Sequence, residues 1–154
     1  MQTKIFFEDF KPGQVFDLGS KTVTREEIIE FASEFDPQSM HLDEEAGKAS
    51  ILGGLAASGW HVSAMMMRMM ADSYILDSAG LGAPGVDFVR WRKPVLAGDV
   101  LSGVSRVVSS RLLKSRPGIG LVQLSHELFN QHDELVCESR APVFVRLREG
   151  KEER

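Results

Sequence analysis

The 154-residue chain has a single cysteine, Cys137, so no intrachain disulfide can form. Its flanks, Leu135, Val136 and Glu138, read as strand, which makes a buried core thiol the expectation and a nucleophile the lesser alternative. Basic residues are not in excess: 18 Lys and Arg stand against 22 Asp and Glu, a formal net charge of −4. A nucleic-acid footprint needs a clustered basic surface, and the only tight cluster, Arg90, Arg92 and Lys93 around Trp91, is local. No apolar run approaches the ~20 residues of a membrane span. Near the N-terminus, Glu8 and Asp9 interrupt any apolar leader core. These absences predict a cytoplasmic protein with neither a nucleic-acid nor a membrane partner. His61, His126 and His132 lack metal-ligand spacing to cysteines or carboxylates, so no metal is expected.

What remains is ordinary for a folded domain, 43% hydrophobic and 26% charged, and the length suits one domain over residues 1–154 with a charged tail at about 149–154. A Pro-Gly turn leads into a short first strand, Val15 to Leu18, expected at a sheet edge. Thr24 and Glu27 form a capping-box signature, and Ile28, Ile29, Phe31, Ala32 and Phe35 follow at helical spacing. That helix should stop at Asp36-Pro37, because proline has no N–H and biases its predecessor away from the helical region. Asp43 to Ala49 reads as a short helix with acids in its first turn. Leu55 to Tyr74 is apolar on nearly every side and reads as one long buried helix. Beyond a Gly-rich loop, Ser78 to Gly85, four runs read as strands: Val86 to Trp91, Val100 to Leu113, Gly120 to Asn130 and Leu135 to Leu147. Their short turns suit antiparallel hairpins. The sum is an α+β domain in which an antiparallel sheet wraps a long central helix.

One segment concentrates chemistry. Between Phe31 and Asp43 an acid, Asp36, and an imidazole, His41, are set close together where no continuous helix can run, which places both on a loop. Taken singly, Asp36 reads as a turn residue, His41 as a structural hydrogen-bonder and Gly59 as a small packing residue. Their joint spacing reads differently. Asp36-Pro37-Gln38-Ser39-Met40-His41, then Gly54-Leu55-Ala56-Ala57-Ser58-Gly59, then Arg92-Lys93-Pro94-Val95-Leu96-Ala97-Gly98-Asp99, resembles the MaoC-like dehydratase and (R)-specific enoyl-CoA hydratase family of hot-dog-fold proteins. The likeness runs from the Pro-Gly arm to the last strand.

The resemblance implies a single hot-dog domain that hydrates 2-enoyl thioesters or dehydrates 3-hydroxyacyl thioesters without a cofactor, coenzyme A being part of the substrate. It puts Asp36 and His41 on the motif's acid and imidazole, holding one water between them, and Gly59 on the glycine whose N–H stabilises the thioester oxygen. Gln38 stands where the family has Asn, Ser39 where it has Pro, and Ser58 where many members carry His. Met67 falls at a helix position where family enzymes place a serine near the acyl site, with Ser63 one turn earlier. Arg90, Arg92 and Lys93 are candidate contacts for coenzyme A, a solvated strand end being the other reading. A homodimer or a dimer of dimers is implied. Two further classes stay open: a hot-dog thioesterase, and a non-catalytic acyl-CoA-binding or oligomerisation module.

Overall fold

Alternation along the strands dictates the sheet. A computed structural model describes residues 4–148. In it Gly120, Val122, Leu124, His126 and Leu128 of strand β4 (Ile119–Phe129) are buried and their neighbours only partly so, as a period of two requires of a strand with one face on a core. With β1 (Val15–Thr22), β2 (Phe88–Trp91), β3 (Val100–Leu112) and β5 (Leu135–Arg146) it forms an antiparallel sheet of order β1-β3-β4-β5-β2. β3, β4 and β5 are the expected hairpin meander, and β1 lies at an edge. β2 departs from expectation, because it pairs with β5 and not with β3. The intervening segment crosses between the sheet's two sides and pairs with another loop: Ala57 N–H donates to Val95 O at 2.8 Å and Ala97 N–H to Leu55 O at 3.0 Å.

Helix α1 (Arg25–Phe35) starts with the expected capping box, Thr24 Oγ1 accepting from the Glu27 N–H and Glu27 returning a bond to the Thr24 N–H. It stops at Asp36, one residue before Pro37. α2 (Ser39–Leu42) and α3 (Glu44–Ala49) follow, the latter capped by the Asp43 carboxylate. The long helix α4 (Gly59–Ser73) begins later than expected, since the backbone of residues 55–57 is taken up in the pairing just described.

α4 lies against the inner face of the sheet, where Val62, Met65, Met66, Met69 and Met70 join Leu101, Val107, Val122, Leu128 and Val136 in one core cluster. The all-round burial expected of this helix is corrected: Trp60 is 64% exposed and Met67 52%, with Ala64 and Arg68 on the same face. Methionine-rich sequence hides the distinction, because a helix that covers a sheet on one face and presents apolar residues on the other has no polar stripe to betray it. Cys137 is fully buried, and burial pushes its thiol up to about 11, so it is the inert core residue anticipated. Among the described residues no helix is long and apolar enough to cross a membrane. The charged tail from Glu149 lies outside the described residues.

A polar chain runs through this core. The Tyr74 hydroxyl donates to Ser105 Oγ at 3.1 Å, and Ser105 Oγ lies 2.7 Å from His126 Nδ1. Burial lowers the His126 imidazole to about 4 and raises the Tyr74 phenol to about 12. Because the folded value for His126 lies below the ordinary 6.5, the unfolded chain takes up the proton first. This contribution is complete above about pH 6.5 and is lost as the pH falls toward about 4, a loss on the order of 3 kcal/mol. Urea unfolding between about pH 7 and about pH 4 should therefore show a steep acid-side decline that His126→Gln flattens. An identical decline in both proteins would assign it to other groups.

Candidate active site

The stop at Pro37 builds the site. Asp36 caps α1, donating its N–H to Ala32 O, and the turn that follows carries Gln38, whose amide donates to Asp36 Oδ1 at 2.7 Å. The expected loop is in part a single helical turn, α2, and His41 sits on it. Four residues suffice for this turn because Pro37 breaks α1 without preventing a new helical start two residues on. His41 is buried, and its Nδ1 lies 2.7 Å from the carbonyl oxygen of Ala56. A carbonyl only accepts, so Nδ1 carries the hydrogen, and in the neutral ring Nε2 keeps a lone pair. That Nε2 faces Asp36 Oδ2 at 3.5 Å.

Asp36 is held as a carboxylate. The Ser58 hydroxyl lowers its pKa most, the Gln38 amide next, and His41 adds to both, while partial burial opposes them. Ser58 Oγ is fully buried and completes no hydrogen bond of good geometry, so its effect on Asp36 is that of a nearby dipole and not of a formed bond.

Gly59 opens α4, where the first amides have no partner in the helix and the dipole is positive. A Cβ on Gly59 would come within 2.6 Å of the Trp91 indole, so glycine is what lets the ring lie on the helix start. Trp91 Nε1 in turn donates to Ser63 Oγ at 3.1 Å, and Trp60 meets the ring edge-on at 5.0 Å.

His41, Gly59 and Trp91 line an open cleft of about 270 Å³ with Arg92, Lys93 and an apolar floor that includes Ala57, Val62 and Val95. Asp36 is not among the residues that line it, but faces His41, which is. Arg92 and Lys93 are each already paired, with Glu138 and Glu134. Arg90 does not line the cleft; its guanidinium lies 4.0 Å over the Phe88 ring and near Glu138. Met67 sits two turns along α4, in the wall of a separate cavity. Thus Asp36, His41, Gln38, Ser58 and Gly59 come together, Ser63, Arg92 and Lys93 stand around the cleft, and Arg90 and Met67 lie apart. Among the described residues no three His, Cys, Asp or Glu side chains converge as a metal site would need.

Four participants escaped the sequence reading: the Ala56 carbonyl, Trp91, Glu134 and Glu138. A backbone carbonyl has no sequence signature. The glutamates had none either, since Glu138 meets Arg90 and Arg92 only through the pairing of β2 with β5, and Glu134 meets Lys93 across 41 residues.

Gly47 shows what holds the site in place. A Cβ there would meet Gly54 O at 2.3 Å and Leu55 N at 2.8 Å, so α3 packs directly on the backbone that carries Ala56. Gly47→Ala should displace that backbone, with a stability loss of ~1–3 kcal/mol by overpacking. It should also shift the His41 ring resonances in an NMR spectrum, and unchanged resonances would dissociate α3 from the placing of His41.

Residues 9–126 match the MaoC like domain family. A MaoC-like dehydratase from Rhodospirillum rubrum is 40% identical and superposes with a TM-score of 0.86, over 94% of this chain and 98% of that one. The uncharacterized protein YdeM of Bacillus subtilis (strain 168) is 30% identical over 139 residues, 90% of this chain and 97% of its own. An (R)-hydratase from A. caviae involved in PHA biosynthesis is 20% identical with a TM-score of 0.73, over 92% of this chain and 99% of that one, a likeness of fold. With an acid and an imidazole facing one another beside an open helix start, on a sheet wrapped around that helix, the chain belongs to the MaoC-like domain family.

Proposed function

We propose that the cleft hydrates 2-enoyl-CoA thioesters, and in reverse dehydrates 3-hydroxyacyl-CoA, by means of Asp36, His41 and the Gly59 amide and without a cofactor. The observation that carries this reading is that Asp36 Oδ2 and His41 Nε2, both acceptors when the ring is neutral, face each other at 3.5 Å. Two acceptors at that separation leave each other unsatisfied, and one water with two hydrogens satisfies both. Asp36, held low and therefore a weak base, orients the water. His41 takes its proton.

The hydroxide oxygen bonds to the β-carbon while the C2=C3 pair moves toward the thioester, leaving negative charge on the carbonyl oxygen. The Gly59 N–H faces that charge with the dipole of α4 behind it. The proton on His41 then passes to the α-carbon, so that one water is added and the ring returns neutral. Gln38 and Ser58 keep Asp36 ionised. Arg92 and Lys93 bring cationic groups to the cleft, and coenzyme A phosphates would exchange with Glu138 and Glu134 for them.

Following the enoyl absorbance of crotonyl-CoA should show turnover by the wild type and losses of about 10²–10⁴-fold in Asp36→Asn and in His41→Ala. Equal rates in the three proteins would refute the mechanism.

A homodimer, alone or doubled into a dimer of dimers, fits the apolar face formed by Trp60, Met67 and Trp91, each more than two-fifths exposed. Sedimentation should give at least a dimer for the wild type and a shift toward monomer for Trp60→Glu. A monomeric wild type would remove this part of the reading.

A further inference from the structure

One ring walls the cleft beside the first turn of α4. Trp91 ends β2 opposite the buried Cys137 of β5, and residues opposite each other share a face, so its side chain is turned toward α4. It comes to rest on Gly59. A Cβ on that glycine would lie 2.6 Å from Trp91 Cδ2, 2.7 Å from Cε2 and 2.8 Å from Cε3. Three ring atoms at nearly one distance mean that the face of the indole, not its edge, covers the Gly59 Cα, and no further atom fits between them.

The ring is also held at its sides. Its Nε1–H donates to Ser63 Oγ at 3.1 Å, one turn along the helix from Gly59, and Trp60 meets it edge-on with centroids 5.0 Å apart. The backbone beside it is pinned too, since Arg92 N–H donates to Val136 O at 2.8 Å. To make room for a ligand the indole would have to break the Ser63 bond.

What the ring borders follows from the hydration proposed above, on which this inference rests. With the thioester oxygen at the Gly59 N–H and the water between Asp36 and His41 at the β-carbon, the acyl atoms run from Gly59 toward His41 as carbonyl carbon, α-carbon, β-carbon. A branch on the β-carbon lies at the water's end. A branch on the α-carbon is the acyl substituent nearest Gly59. The conjugated enoyl thioester is flat, so that branch projects sideways next to the carbonyl, where the indole stands.

We propose that Trp91 is a specificity-determining residue that confines the cleft to 2-enoyl thioesters with a hydrogen on the α-carbon and rejects those with a methyl or larger branch there. Ser63 is its positioning residue. The reaction is the same for either substrate: water adds across the double bond, hydroxyl to the β-carbon and proton to the α-carbon. The discrimination is steric, because a wall that cannot yield makes one extra carbon an overpacked one.

The test uses three isomers, pent-2-enoyl-CoA, 2-methylbut-2-enoyl-CoA and 3-methylbut-2-enoyl-CoA, which hold the same atoms and differ only in where one carbon sits. kcat/KM for each is read from the enoyl absorbance with the whole protein as wild type, Trp91→Ala and Ser63→Ala. In Trp91→Ala the ratio of the 2-methyl isomer to the straight one should rise at least ~10-fold over that of the wild type, while the ratio for the 3-methyl isomer stays put. Ser63→Ala, which frees the ring without removing it, should raise the 2-methyl ratio by about threefold. Differences in intrinsic reactivity cancel in these comparisons, and a general loosening of the fold lowers all rates without moving a ratio. Trp91 is 43% exposed, so its truncation empties no core. A 2-methyl ratio unmoved by Trp91→Ala, or an equal gain by both branched isomers, would overturn the proposal and leave the hydration standing. A wild type that turns over none of the three would overturn the hydration and this assignment with it.

Discussion

The buried bond from His41 Nδ1–H to the Ala56 carbonyl, 2.7 Å long, joins the two halves of the site. On one side is the turn that follows Pro37; on the other is the backbone that leads into α4 three residues later. Because the bond occupies Nδ1, it settles which nitrogen faces Asp36, and because it is buried it is not traded for water. The spacing from the imidazole to the first amides of α4 is fixed through the same contact. That backbone is held in turn by its pairing with residues 95–97 and by the close approach of Gly47, so small residues and main-chain bonds, not large side chains, set the geometry.

The charges of the site follow from this arrangement. Asp36 is kept ionised by neutral dipoles, Ser58 and Gln38, ahead of any cation, so no fixed positive charge competes for whatever lies between Asp36 and His41. The cations stand farther out, and Glu138 and Glu134 neutralise two of them. What the cleft offers inside is mainly Ala, Val and the Trp91 ring, an apolar setting in which a helix dipole and a free amide are worth more than in water.

α4 serves two environments with one helix. Its first turn opens to the cleft, while its last turns, with β4 and β5, line a second cavity whose polar side chains are Tyr74, Ser78 and His126. The sheet makes this possible, since the alternation that buries Val122, Leu124 and Leu128 also turns His126 inward, two residues from each of its apolar neighbours.

Much was decided locally and could be read from the chain. The Thr24–Glu27 box, the Pro37 stop and the period of two in the later strands each depend on residues near in sequence, and each formed close to where expected. The Asp36–His41 spacing depends on a turn only five residues long, so the pair was legible too. What the chain could not show were relations between distant segments. The pairing of β2 with β5 sets Trp91 on Gly59 and the arginines on Glu138. The crossing segment delays the start of α4, and the one-sided burial of that helix depends on which face meets the sheet. Sequence by itself determined the elements and the nearness of Asp36 to His41, because capping, proline geometry and alternation act over a few residues. Tertiary structure decided the tautomer of His41, the partners of the cations and the existence of a second chamber, because each needs a backbone or side chain brought in from far along the chain.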